Sequence, residues 1–133
     1  MQITARVRNS ASRHQVVVST AGTEQALVVP GKSSGCGSAV NGGEFLMLAL
    51  ATCYCNDLYR EAARLGVQLE HVEVEASADF PGIGLAATNI TYRAKVSSAA
   101  SEATIEELLS RTDAVAEVHN TLRAGVEVRY ESG

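Results

Sequence analysis

The sequence predicts an α+β domain in which antiparallel strands enclose one buried central helix, in the order βββ-α-ββ-α-β. Three observations carry this. Apolar and polar residues alternate in short runs before residue 30 and again between residues 72 and 96. A run that is apolar around its whole circumference, Phe45 to Cys55, opens a long helical stretch. A second stretch with apolar spacings of three and four follows the later strands. Strict alternation marks half-buried strands, and recurrence near 3.6 marks helices. With 133 residues, no internal repeat and no linker, residues 1–133 are expected to form a single domain.

The elements follow in order. Ile3, Ala5 and Val7 alternate with Thr4, Arg6 and Arg8 in a first strand, and Asn9 to Ser12 make a polar turn. Val16 to Val18 form a second strand and Ala26 to Val29 a third, separated by Ala21-Gly22-Thr23 and ended by Pro30-Gly31. Gly31 to Gly43 is loop by composition. Its Gly-Lys-Ser does not make a phosphate loop, because Ala26 stands where that pattern needs glycine and no helix opens after the lysine. A helix over Glu44 to Leu65 follows, fully apolar at first, then amphipathic on a Leu58, Ala62, Leu65 stripe, with Gly66 as its C′ residue. Val72 to Phe80 and Ile90 to Val96 read as two more strands. Ser101 or Thr104 caps the second helix, Thr104 pairing with Glu107 in a capping-box pattern, and Asp113 is placed to cap a fresh segment. Gly125 ends it, and Val126, Val128 and Tyr130 predict a closing strand.

Composition narrows the function. Eleven basic against 15 acidic side chains leave a net charge of −4, without the clustered basic face of a nucleic-acid binder. The apolar run from Phe45 falls well short of the ~20 residues a membrane span needs, and the alternating N-terminus lacks a signal-peptide core. A cytoplasmic protein is expected. Three cysteines, at 36, 53 and 55, are a poor disulfide framework and point to reactivity or packing instead. On one helix Cys53 and Cys55 diverge by about 200°, and His14, His71 and His119 show no ligand spacing, so no metal is expected. An all-round apolar half-helix needs more cover than one sheet supplies, which predicts a homodimer.

The stretch NGGEFLMLALATCYCNDLYREAARLGV, together with the element order and the later Ala116-Glu-Val-His-Asn-Thr-Leu122 segment, resembles the OsmC/Ohr family of osmotically inducible and organic hydroperoxide resistance proteins. The resemblance implies an intertwined dimer with two central helices packed together. It places the family's peroxidatic thiol on Cys53 and its resolving cysteine on Ala116, so the resolving thiol is missing. The site-ordering glutamate of the family falls on Gly43, with Glu44 one place off, and Arg13 matches the arginine that favours the thiolate. The resemblance therefore implies a one-cysteine peroxidase acting on organic hydroperoxides in oxidative stress defence. It needs no cofactor beyond an external thiol reductant.

The chemistry of the residues supports the same assignment of roles. A free thiol has a pKa near ~8.5 and attacks as thiolate, so a guanidinium beside it promotes reaction and burial among apolar groups suppresses it. Two other readings stand beside the peroxidase: a degenerate relative that binds a small apolar ligand, and a thiol or acyl hydrolase in which His119 serves Cys53 as base. Cys36, in a glycine- and serine-rich loop, is an accessory candidate for the missing resolving thiol.

Overall fold

The computed structural model describes all 133 residues. They form β1 (Ile3–Asn9), β2 (His14–Thr20), β3 (Thr23–Leu27), α1 (Gly42–Leu65), β4 (His71–Asp79), β5 (Thr88–Ser97), α2 (Glu102–Val115) and α3 (Glu117–Ala124). The expected α+β class with antiparallel sheets is present. The chain divides into two compact units, Met1–Phe45 and Leu46–Gly133, with the boundary inside the first turns of α1.

The first unit is the meander β1-β2-β3 followed by the 31–41 loop. Ala21 and Gly22 both hold positive φ, 49° and 85°, which is the two-residue turn whose twist suits a hairpin. That turn fixes the register at Thr20↔Thr23 and Val16↔Leu27. It also corrects the expected third strand: pairing begins directly after the turn, at Thr23 rather than Ala26, and Val28 is fully exposed. β1 pairs along its whole length with β2, yet its apolar residues are not half-buried; Ile3 and Val7 are mostly exposed.

In the second unit, β4 and β5 form a hairpin whose inward residues alternate strictly. Val72 faces Val96, Val74 faces Ala94 and Ala76 faces Tyr92. Val72, Val74, Tyr92, Ala94 and Val96 pack on a core of Tyr54, Leu58 and Ala62 from α1, Leu108 from α2, and Ala116 from the α2–α3 junction. The expected α1 stripe is therefore real, and it ends at Gly66 with φ 68°. Two further expectations for α1 are corrected. The helix opens at Gly42, because Asn41 and Glu44 form a reciprocal cap: Glu44 Oε2 accepts from Asn41 N–H and Asn41 Oδ1 from Glu44 N–H, each at 2.8 Å. Its all-apolar half is not covered on every side in the single chain, where Leu48 remains 56% exposed.

The C-terminal third differs most from expectation. Ser101 caps α2 by accepting from Thr104 N–H, and Glu107 pairs with Arg111 rather than closing a box. The helix breaks at Ala116, in an extended conformation, and not at Asp113, whose carboxylate is drawn sideways to Tyr92 and Arg123. Gly125, in the left-handed region, ends α3 as expected. No closing strand forms: Val126, Val128 and Tyr130 alternate as expected but pair with neither sheet of this chain and stay exposed. No helix is long and apolar enough to cross a membrane.

Candidate functional site

Cys53 sits mid-way along α1, half-buried against the core of the second unit. Asp57 follows one turn later on the same helix face, and its Oδ2 lies 3.7 Å from Cys53 Sγ. Glu117, in the first turn of α3, brings Oε2 to 3.9 Å from the same sulfur. The sulfur therefore faces two carboxylates. It also receives the backbone N–H of Val118, because α3 has no side-chain cap at its N-terminus and leaves its first amides open. Burial pushes the thiol pKa up and both carboxylates add to that, while the Val118 amide works against them. The result is a thiol that keeps its proton at neutral pH.

Asp57 is itself buried, at 4% exposure, and is held by Arg60 Nη1 at 2.8 Å. Arg60 also reaches Glu61, which is buried as well. The sequence pattern assigns Asp57 and Glu61 to a solvated face; ion pairs with Arg60 and Arg64 instead let both fold inward.

His119 lies one turn beyond Ala116. It is buried, and neither ring nitrogen has a hydrogen-bond partner. Its ring packs edge-on to Tyr92 at 4.4 Å and against Tyr54 at 5.9 Å. Burial holds its pKa below the ordinary value, and the Arg123 charge lowers it further. With no bond from either nitrogen, the Cys53–His119 dyad of a hydrolase is not formed; the groups that reach the sulfur are Asp57 and Glu117. Instead His119 lines a largely apolar cavity of about 230 Å³ with Leu50, Ile90, Tyr92, Leu122 and Arg123. One wall is braced by Asp113, which accepts from the Tyr92 hydroxyl and from Arg123 at 2.7 Å. Tyr54 donates to the Leu109 carbonyl at 2.8 Å, and burial pushes its pKa up to about 12.

The other expected site residues separate by unit. Ala116 is fully buried in the core of the second unit. Arg13, Cys36 and Glu44 belong to the first unit. Arg13 lies in the β1–β2 turn and makes no ion pair. Glu44 spends its carboxylate on the α1 cap. Cys36 is exposed, and all three cysteines are free thiols.

Linear spacing could not find the full donor set around Cys53. Asp57 is legible as the i+4 neighbour of a cysteine on a helix, but Glu117 stands 64 residues away and arrives through the fold. One sulfur and two carboxylate oxygens lie within 4.8 Å of one another, a set that suits a zinc-like ion as well as a hydrogen-bonded thiol. The expectation of no metal rests on sequence spacing, which does not reveal this grouping.

The fold agrees with the comparisons. The OsmC-like protein family matches residues 35–131, and the chain belongs to that family. Among solved structures it is similar to an OsmC-like protein of Mycoplasma pneumoniae (TM-score 0.62, 17% identity, covering 92% of this chain and 86% of that one). It is similar also to a Legionella pneumophila protein described as an organic hydroperoxide resistance protein OsmC, a predicted redox protein and regulator of sulfide bond formation (TM-score 0.61, 18% identity, 97% and 94% covered). A third, from Vibrio cholerae, is an OsmC-like protein of unknown function (TM-score 0.60, 13% identity, 91% and 93% covered). No relative was found among curated protein sequences.

Proposed function

We propose that the protein is a one-cysteine thiol peroxidase that reduces uncharged organic hydroperoxides. The carrying observation is Cys53, the half-buried thiol of an OsmC-like chain, held against two carboxylates and an open helix end. The sulfur attacks the terminal peroxide oxygen and the O–O bond breaks. The thiol proton passes by way of Asp57 or Glu117, which act as proton acceptors within reach, to the departing alkoxide. Cys–SH and ROOH thus become Cys–SOH and ROH. With alanine at 116 and Cys55 turned about 200° away on the same helix, two equivalents of an external thiol reduce the sulfenic acid to thiol, releasing their disulfide and water. The raised thiol pKa means that turnover climbs as pH rises above neutrality.

The proposal includes a homodimer. Leu48 and Tyr59 are exposed on one stripe of α1, and the 126–130 segment is unpaired, so a second copy has apolar surface to cover. Light scattering at micromolar concentration should give twice the 14.0 kDa chain mass. For the activity, the reduced protein should consume one equivalent of cumene hydroperoxide and gain one oxygen at Cys53. Cys53→Ser should do neither, and an unoxidised Cys53 would refute the peroxidase reading.

A second reading rests on the His119 cavity. Its mostly apolar walls suit a small apolar ligand. Binding of such a ligand with Cys53 left inert would favour it.

A further inference from the structure

In the first unit, the β1–β2 turn and the 31–37 loop enclose a separate cavity of about 210 Å³, whose walls are polar. We propose that this cavity is an oxyanion site that takes a phosphate group. Its walls carry Arg13 and Lys32, and neither cation forms an ion pair with any carboxylate of the chain. No acidic residue lines it, while Ser10 and Ser12 do.

His14 adds a directed donor. Asn9 Oδ1 accepts from Gly37 N–H at 3.0 Å, which orients the amide so that its Nδ2 faces His14 Nδ1, also at 3.0 Å. Since Nδ2 only donates, Nδ1 must accept, and the proton of the neutral ring sits on Nε2. That Nε2 is buried and has no partner. An orphaned buried donor costs about 1–3 kcal/mol, and the residue that carries it is one of those lining the cavity.

Loop geometry holds the second cation close. Lys32 N–H donates to Gly37 O at 2.9 Å, and the Lys32 side chain folds back so that a Cβ added at Gly37 would lie 3.7 Å from Nζ. Gly37 has φ 110°, so a side chain there would be strained. Charge distribution points the same way. The first unit carries four basic against two acidic side chains within a chain whose net charge is −4. A guanidinium, an ammonium and two hydroxyls lining one cavity match the acceptor-only oxygens of a phosphate. The helix that a Walker loop requires after its lysine is absent, so the recognition is by side chains rather than by a helix end.

The test is amide-resolved NMR titration of the full chain with inorganic phosphate and, separately, methyl phosphate, with sodium chloride at matched ionic strength as reference. Saturable shifts confined to the Asn9–His14 and Gly31–Gly37 amides are expected. Arg13→Gln and Lys32→Gln should each weaken binding about tenfold while preserving the spectrum elsewhere. Arg6→Gln, whose side chain pairs with Glu24 away from the cavity, should bind as the wild type does. Tighter binding of methyl phosphate identifies a phosphomonoester as occupant, and tighter inorganic phosphate identifies the free ion. Non-saturating shifts equal to those with chloride, or unchanged affinity in Arg13→Gln and Lys32→Gln, would overturn the site.

Discussion

Replacing Glu117 with glutamine should make Cys53 more nucleophilic at neutral pH. Glu117 Oε2 lies 3.9 Å from the sulfur on an exposed residue, so the water-like limit of Coulomb's law applies. At that distance a thiolate and a carboxylate repel by about 1 kcal/mol. Since the thiol pKa already stands above its ordinary value, thiolate is the minor species at neutral pH, and removing 1 kcal/mol raises its population about fivefold. The assay is iodoacetamide labelling followed by mass spectrometry of each cysteine, from about pH 6 to pH 10, in wild type and Glu117→Gln. Labelling at Cys53 should rise about fivefold near neutrality, with its pH midpoint moved down, while Cys36 is unaffected. Glu117 also stands in the first turn of α3, where losing its charge costs about 0.3–1 kcal/mol of helix stability, so circular dichroism should accompany the rates. Asp57→Asn is the less clean experiment, because it also strands Arg60. An unchanged or slower rate at Cys53 would refute the repulsion argument; a slower one would mean that the carboxylate's service as proton acceptor outweighs its charge.

The remaining expectations concern packing and pH. His119 is held neutral below its ordinary pKa by burial and Arg123, opposed by Asp113 and Asp57, with Tyr54 and Tyr92 as the aromatic walls. The stability it contributes is therefore present above the unfolded value of ~6.5 and lost as pH falls through the folded one. His119→Phe should flatten that acid limb in thermal melts, and an unchanged limb would count against it. Ala116→Cys should cost about 1–3 kcal/mol, since residue 116 is fully buried, and should divert the peroxide product to a disulfide with Cys53. A persistent sulfenic acid in that variant, seen by mass spectrometry, would show that the two positions do not meet. Ala21 holds φ 49° in the β2–β3 turn, so Ala21→Asn should stabilise the meander by about 1 kcal/mol in denaturant unfolding; no gain would contradict the strain.

Local pattern revealed most of the fold because strands and helices announce themselves by period. The β4–β5 alternation, the Leu58–Ala62–Leu65 stripe and the glycine stops at 66 and 125 are all nearest-neighbour information. What failed depended on partners far along the chain. The 126–130 segment has strand periodicity but joins neither sheet, and Asp113 has cap chemistry but a stronger claim from Tyr92 and Arg123. The candidate site divides in the same way. Cys53 was legible from its place in the helix and from family likeness, whereas Glu117 and the orphaned nitrogens of His14 and His119 exist only once the chain has folded.

The acidic flank of Cys53 also sorts oxidants before any bond is made or broken. An approaching anion meets Asp57 and Glu117 at the sulfur, while an uncharged molecule does not. With the proposed activity, peroxides that carry a carboxylate should react slowly in dilute buffer and faster as salt shortens the Debye length, with neutral alkyl hydroperoxides indifferent to ionic strength. Cys36, exposed in the unit of opposite charge, inherits the reverse preference and reacts soonest with anionic disulfide reagents. Two thiols of one chain thereby become distinguishable by the sign of the reagent.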